Sequence, residues 1–176
     1  MTSSIFLIGP MGAGKTTMGR QLAKKLQLEF LDSDRVIEER TGVDIPLIFE
    51  KEGEAGFRKR EESIIDELTQ RDKLVLATGG GAVISELNRQ HLKQRGTVIY
   101  LHSDIKNLIE RVKYDKNRPL LQTEDPEARL RELMEVREPL YRETADIIIN
   151  TGEKSIRSVI NVILERLKSY QDSKSK

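Results

Sequence analysis

Residues 9–16 read Gly-Pro-Met-Gly-Ala-Gly-Lys-Thr, a G-x-x-x-x-G-K-[ST] loop. This spacing binds phosphate only where a strand enters the loop and a helix leaves it. Successive N–H groups and the helix N-terminus must converge on one anion. Both flanks are present. Residues 4–8 form an apolar run, and Met18, Leu22 and Leu26 recur every four residues beyond the loop. Gly12 and Gly14 allow the backbone dihedrals such a loop needs. Lys15 adds a point charge for the β and γ phosphates of a nucleoside triphosphate. Thr16 offers a hydroxyl ligand to Mg²⁺, with Thr17 close by. The competing reading is an ordinary glycine turn before a helix.

The rest of the chain alternates in the same way. Strand candidates lie at residues 4–8, 29–31, 74–77, 97–101 and 146–149. Helical stripes fall between and after them, at Ile105, Leu108, Ile109 and Val112, and at Ile156, Val159, Ile160, Ile163, Leu164 and Leu167. Near-continuous apolar strands alternating with helices predict an α/β fold with a five-stranded parallel sheet covered by helices on both faces. The 176 residues suit one domain, 1–176. Charged residues make up 34%, yet the formal net charge is +1, which does not suit a nucleic-acid binder. There is no cysteine, and the two histidines, His91 and His102, are far apart, so a zinc site is not expected. No leader peptide and no apolar run near the roughly 20 residues of a membrane span are visible. The expectation is a cytoplasmic protein. The tail at 171–176 reads as frayed.

Three features break the regular pattern. Residues 113–125 have no clear period and carry a proline and mixed charges, so they read as a lid about 113–125, ended by an Asp125-Pro126 helix start. Charged residues also sit on apolar stripes. Glu61 falls on the Phe57, Ile64, Ile65, Leu68 stripe of a helix over 54–69, with Arg58 beside it. Arg137 continues the Leu130, Leu133, Met134 stripe. A buried arginine needs a carboxylate or phosphate partner. That partner is either a protein acid such as Glu61 or an anionic acceptor. Finally, Gly79, Gly80 and Gly81 follow the third strand, where only a sharp turn or a close approach explains three bare residues.

Ligands of parallel sheets bind beyond the carboxyl ends of the strands. Those ends hold the triple glycine and Asp32-Ser33-Asp34. Asp32 or Ser33 could simply cap a helix. An aspartate beside a phosphoryl acceptor can take its hydroxyl proton, and at an unperturbed pKa of about 4 it is ionised at neutral pH. The third strand ends in Thr78 and glycine rather than an acid, and no N-K-x-D motif is present, which weighs against hydrolytic P-loop proteins. A compact P-loop domain with a lid suits transfer to a small acceptor, because closure excludes water.

With these residues in view, the chain resembles the shikimate kinase family. The resemblance rests on "FLIGPMGAGKTTMGRQLA", "DSDRVIEERTG", "EGEAGFRKRE", "ATGGGAV", "NRPLL" and "REPLY", in this order over most of residues 4–150. It implies transfer of the γ-phosphoryl group of MgATP to the 3-hydroxyl of shikimate, in aromatic amino-acid biosynthesis. It implies a nucleoside-monophosphate-kinase-like fold with sheet order 2-3-1-4-5 and a shikimate-binding segment about 33–61. By matching motif, Gly12, Ala13, Gly14, Lys15, Thr16 and Thr17 hold ATP. Asp34 contacts the ring hydroxyls as base or orienting group. Thr16 and Asp32 hold Mg²⁺, Asp32 through water. Arg58 and Arg137 clamp the shikimate carboxylate, and Gly79, Gly80 and Gly81 lie against the substrate. Phe49, Phe57 and Glu61 line or brace that pocket, Arg118 reaches the phosphates from the lid, and Arg111 and Lys154 contact adenine. The expected partners are shikimate and ATP alone, and the expected state is a monomer. Two other readings stay open: another small-molecule P-loop kinase, for gluconate or a nucleoside monophosphate, and a nucleotide-dependent binding module without transfer activity.

Overall fold

The computed structural model describes residues 3–113, 115 and 117–175. The elements run β1 (Ile5–Ile8), α1 (Lys15–Leu26), β2 (Glu29–Asp32), α2 (Ser33–Thr41), α3 (Ile45–Thr69), β3 (Leu74–Ala77), α4 (Glu86–Arg95), β4 (Thr97–His102), α5 (Ile105–Val112), α6 (Pro126–Thr144), β5 (Ile147–Asn150) and α7 (Ile156–Lys174). Short 3₁₀ turns occupy Ala82–Ile84 and Pro119–Leu121.

The five strands are all parallel, in the order β2-β3-β1-β4-β5. Strand β1 is central, and all four of its residues are buried, as a strand covered on both faces requires. Helices α1 and α7 pack together on one side, while α3, α4 and α6 pack on the other. That is what right-handed crossovers produce when the first connection runs one way along the sheet and the later ones run back. Parallel order also brings every strand's carboxyl end to one edge. The phosphate loop, Asp32, Thr78 and the triple glycine therefore meet there, although Gly9 and Gly81 lie 72 positions apart in sequence.

Local chemistry explains most boundaries. Asp44, Ser85, Asp125 and Ser155 each accept a hydrogen bond from a backbone N–H in the first turn of the helix that follows. Asp125-Pro126 starts α6 as the sequence indicates. Helix α3 begins earlier than expected, at Ile45, but bends at Gly53, whose φ of 70° and ψ of −179° break the helical path. The apolar stripe read over 54–69 is the part beyond that bend. Two expectations need correction. The tail at 171–174 continues α7 rather than fraying, because the helix is already anchored by Val159, Ile160, Ile163 and Leu167. The expected lid is not featureless, since it contains the Pro119–Leu121 turn with Leu121 buried. Lys176 at the tail, and Tyr114 and Lys116 within the lid, lie outside the described residues.

Candidate functional site

The phosphate loop adopts the predicted geometry. Gly12 and Gly14 have φ of 80° and 93°, and Gly14 caps α1 in that left-handed conformation. Ala13 is fully buried, so only its backbone can meet a ligand. The Lys15 Nζ folds back onto the loop and donates to the carbonyls of Gly9 at 2.7 Å and Pro10 at 2.8 Å. Burial, followed by the repulsion of Arg118, lowers the Lys15 ammonium to about 7. Thr16 Oγ1 donates to Asp32 Oδ2 at 2.6 Å. The other Asp32 oxygen caps α2, accepting from the N–H groups of Asp34 at 3.0 Å and Arg35 at 3.4 Å. Asp32 is thus both a helix cap and the acid next to Thr16.

Two clefts open on this edge of the sheet. One is lined by Gly12, Gly14, Lys15, Thr16, Thr17 and Asp32, continuing to Asp34, Thr78, Gly79, Gly80 and Arg118. The other is lined by Ile45, Phe49, Phe57, Arg58, Glu61, Gly81 and Arg137, and again by Asp34, Gly79, Gly80 and Arg118. The four shared residues form the boundary between the cleft at the phosphate loop and the cleft expected to take the acceptor.

The acceptor cleft combines an apolar wall with buried charge. Phe49 and Phe57 pack with ring centroids 4.9 Å apart, and the Arg58 guanidinium lies 5.2 Å from the Phe57 centroid. Arg58 donates to Glu61 at 2.8 Å and to Glu54 at 3.3 Å. Burial works against the Arg58 charge, but Glu61 and Glu54 outweigh it and hold the group above its ordinary value. Arg137 is different. It is 2% exposed and, among the described residues, forms no ion pair. Burial lowers its ordinary affinity for a proton. Pairing with protein acids therefore accounts for Arg58 and not for Arg137, whose buried cation faces a cleft that a carboxylate or phosphate can enter.

Asp34 corrects an expectation. Burial first, then the carboxylates of Glu61 and Asp32, raise its carboxyl to about 7. It is not the freely ionised group with a pKa of about 4 expected from its ordinary value. Its Oδ1 is buried without a hydrogen-bond partner among the described residues, as are Glu61 Oε2, Arg58 Nε and Arg137 Nε. Four unpartnered polar atoms around one cleft mark groups arranged for a polar ligand.

The triple glycine also reads differently in three dimensions. None of the three has positive φ, so no special turn geometry requires them. A Cβ on Gly79 would stand 2.7 Å from Asp34 Oδ1 and 2.8 Å from Glu61 Oε2. A Cβ on Gly81 would overlap the Arg58 guanidinium. Only at Gly80 is the space looser, with the Met11 nitrogen at 3.2 Å. The space beside Gly79 and Gly81 thus belongs to the protein's own charged side chains, which lie closer to the loop than a Cβ would permit.

Arg118 spans both clefts from the turn before Pro119, and its Nε donates to Asp115 at 3.0 Å. Arg111 donates to Gly12 O at 2.9 Å and Gly152 O at 3.4 Å, which ties α5 to the phosphate loop and to the loop after β5. Lys154 lies in that second loop, its N–H bonded to Thr151 O at 3.2 Å. Of the expected site residues, Ala13, Arg111 and Lys154 line neither cleft, while the others line one or both. Sequence reasoning missed Ser33, whose Oγ accepts from Gly79 N at 3.1 Å, and Tyr141, which donates to Gly80 O at 2.5 Å. Tyr141 lies four residues after Arg137, and that helical spacing was the available signal.

Comparison with known proteins shows the family. The family model for shikimate kinase matches residues 11–168. A shikimate kinase of Methylococcus capsulatus is 58% identical over 161 residues, covering 92% of this chain and 90% of the relative. That of Halorhodospira halophila is 58% identical over 165 residues, covering 94% and 93%. The structure of the Acinetobacter baumannii shikimate kinase in complex with shikimate superposes with a TM-score of 0.94 at 54% identity, covering 96% of this chain and 94% of that one. A gluconokinase from Sinorhizobium meliloti reaches a TM-score of 0.59 at 16% identity, a likeness of fold alone. Match length, identity and a site with both clefts formed point the same way: the chain belongs to the shikimate kinase family.

Proposed function

We infer that the two clefts are the ATP and shikimate sites of one phosphotransfer centre. The chain transfers the γ-phosphoryl group of ATP to the 3-hydroxyl of shikimate, giving shikimate 3-phosphate and ADP. The observation that carries our assignment of residues is the shared boundary: Asp34, Gly79, Gly80 and Arg118 line both clefts. A donor phosphate and an acceptor hydroxyl bound on either side of it are within reach of each other, which is most of what phosphoryl transfer asks of a protein.

On this reading the phosphate loop binds the triphosphate. Lys15 leaves the Gly9 and Pro10 carbonyls for phosphate oxygens, whose charge restores its proton affinity. Arg137 and Arg58 hold the shikimate carboxylate, and Phe49 and Phe57 pack against the ring. Asp34, poised at about 7, takes the proton of the attacking hydroxyl near neutral pH. Arg118 faces the transferring group from the lid. Arg111 and the loop carrying Lys154 lie where the adenine end of ATP would run.

Thr16 and Asp32 fit Mg²⁺. They are hard oxygen donors at the phosphate cleft, and this ion usually takes one or two protein oxygens and fills its shell with water and phosphate. When bound it would neutralise charge on the β and γ phosphates. The Thr16 proton is committed to Asp32, which leaves its lone pairs for the ion.

We propose a single domain over 1–176, with an acceptor-binding segment about 33–61 and a lid about 113–125. Asp34, Ile45, Phe49, Phe57, Arg58 and Glu61 come from the first, and Arg118 from the second. We also propose a cytoplasmic monomer, in which one chain supplies both clefts. A coupled ADP-release assay with shikimate, gluconate and nucleoside monophosphates tests the assignment. Turnover with shikimate alone is expected. Turnover with gluconate or a monophosphate in its place would overturn it.

A further inference from the structure

Tyr141 contacts Gly80 and Arg137, two residues that line the acceptor cleft, and the mechanism above makes no use of it. It is fully buried in α6, one turn after Arg137. Its hydroxyl donates to Gly80 O at 2.5 Å. Its oxygen faces the Arg137 guanidinium, and burial keeps the phenol protonated. The ring cannot drift, because it stacks on Tyr100 with centroids 5.0 Å apart and 25° between the planes. Tyr100 is itself fixed, fully buried and with its hydroxyl on Glu138.

This contact controls more than one carbonyl. The Gly80–Gly81 peptide is trans, so the Gly80 C=O and the Gly81 N–H point in opposite directions. Drawing the carbonyl toward α6 turns that N–H away from α6. Three consecutive glycines have no side chains to hold such a peptide plane in place. The loop is tied at other points, at Gly79 N by Ser33 and at Ala82 O by Asn88. At Gly80 O the tie is Tyr141. The same phenol stands against Arg137, the buried cation that forms no ion pair among the described residues.

We propose that Tyr141 is a positioning residue for the acceptor, holding the glycine loop and Arg137 at one spacing so that the substrate's carboxylate and ring meet both together. The proposal rests on the assignment of the acceptor cleft to shikimate. It predicts a defect mainly on the acceptor side, since Arg137 lines the acceptor cleft and not the phosphate cleft, whereas Gly80 lines both.

The test is Tyr141→Phe, with Tyr100→Phe as a neighbouring control that loses a buried hydroxyl without touching Gly80. The expected result is a shikimate KM raised about fivefold to tenfold, the factor one lost hydrogen bond typically gives. Saturated kcat and the ATP KM should stay within about twofold, and Tyr100→Phe should leave the shikimate KM unchanged. In the free protein, amide hydrogen exchange over 79–82 should quicken about tenfold in Tyr141→Phe and not in the control. An unchanged shikimate KM together with unchanged exchange would show that Tyr141 is only a structural brace, even if the melting temperature falls. Equal losses toward ATP and shikimate would show general damage and also overturn the proposal. If the wild-type protein fails to turn over shikimate, the functional assignment is at fault, and the exchange measurement still decides whether Tyr141 holds the loop.

Discussion

Thr16 Oγ1 and Asp32 Oδ2 lie 2.6 Å apart, joining the first turn of α1 to the end of β2. The acid that serves this P-loop therefore comes from the edge strand β2 and not from β3, the immediate neighbour of β1. Asp32→Asn separates its two roles. Asparagine caps helices as well as aspartate does, so the melting temperature should barely move. The lost charge should raise the Mg²⁺ concentration required for half-maximal activity about tenfold or more. A magnesium titration matching wild type would remove Asp32 from the metal site.

Asp34→Asn should fold normally and lose about 10²–10⁴-fold in kcat, the usual loss with a general base. Turnover within about threefold of wild type, measured with both substrates saturating, would leave Asp34 no chemical role.

The same group sets a pH dependence. Asp34 acts as a base only when ionised, and its carboxyl is raised to about 7, so kcat/KM for shikimate should fall as pH drops below about 7. Lys15 attracts phosphate only when charged, and it is lowered to about 7, so kcat/KM for ATP should fall as pH rises above about 7. The two profiles should thus differ, with an acid limb for shikimate and an alkaline limb for ATP. In the ATP complex the phosphates restore the Lys15 charge, and the alkaline limb of kcat should move up. A kcat/KM profile flat from pH 5.5 to 9 would contradict both assignments.

Arg137→Lys should raise the shikimate KM about 10- to 100-fold with little change for ATP, because lysine keeps the charge and loses the two-pronged contact. Arg137→Met should bind no measurable shikimate, yet melt no lower than wild type, since it removes a buried cation that has no acid partner. A large fall in melting temperature would mean that Arg137 serves the fold.

The glycines should differ among themselves. Gly81→Ala must displace Arg58, and Gly79→Ala must displace Asp34 or Glu61. Both should lose shikimate turnover by about 100-fold or more, in line with small displacements of catalytic groups. Gly80→Ala, with 3.2 Å to the Met11 nitrogen, requires only a small shift and should be the mildest of the three. Steady-state kinetics on the three variants would sink this ordering if Gly80→Ala proved the worst.

Arg118→Ala should lower kcat about 10²–10³-fold while shikimate still binds, because a charge facing the transferring group acts mainly in the transition state. Near-normal turnover, followed with both substrates saturating, would make this arginine a surface charge.

What the sequence determined by itself was local. The phosphate loop is a contiguous eight-residue pattern whose flanks declare strand and helix, and the apolar runs reveal a parallel sheet because the inner strands β1, β3 and β4 are buried on both faces. Arg58, Glu61 and Arg137 were legible because each sits at helical spacing on an apolar stripe. Only the tertiary structure decided which charges pair. Arg58 and Glu61 lie three residues apart on one helix, but whether Arg137 meets an acid depends on how α6 packs against α4 and the turn that follows the glycine loop. It decided the protonation of Lys15 and Asp34 too, because burial and charges brought from β2, α3 and the lid determine the shift. It gave the triple glycine its reason as well. A Cβ is excluded there by Asp34, Glu61 and Arg58, which are 18–47 residues distant in sequence and reach the loop only because parallel strands end along one edge.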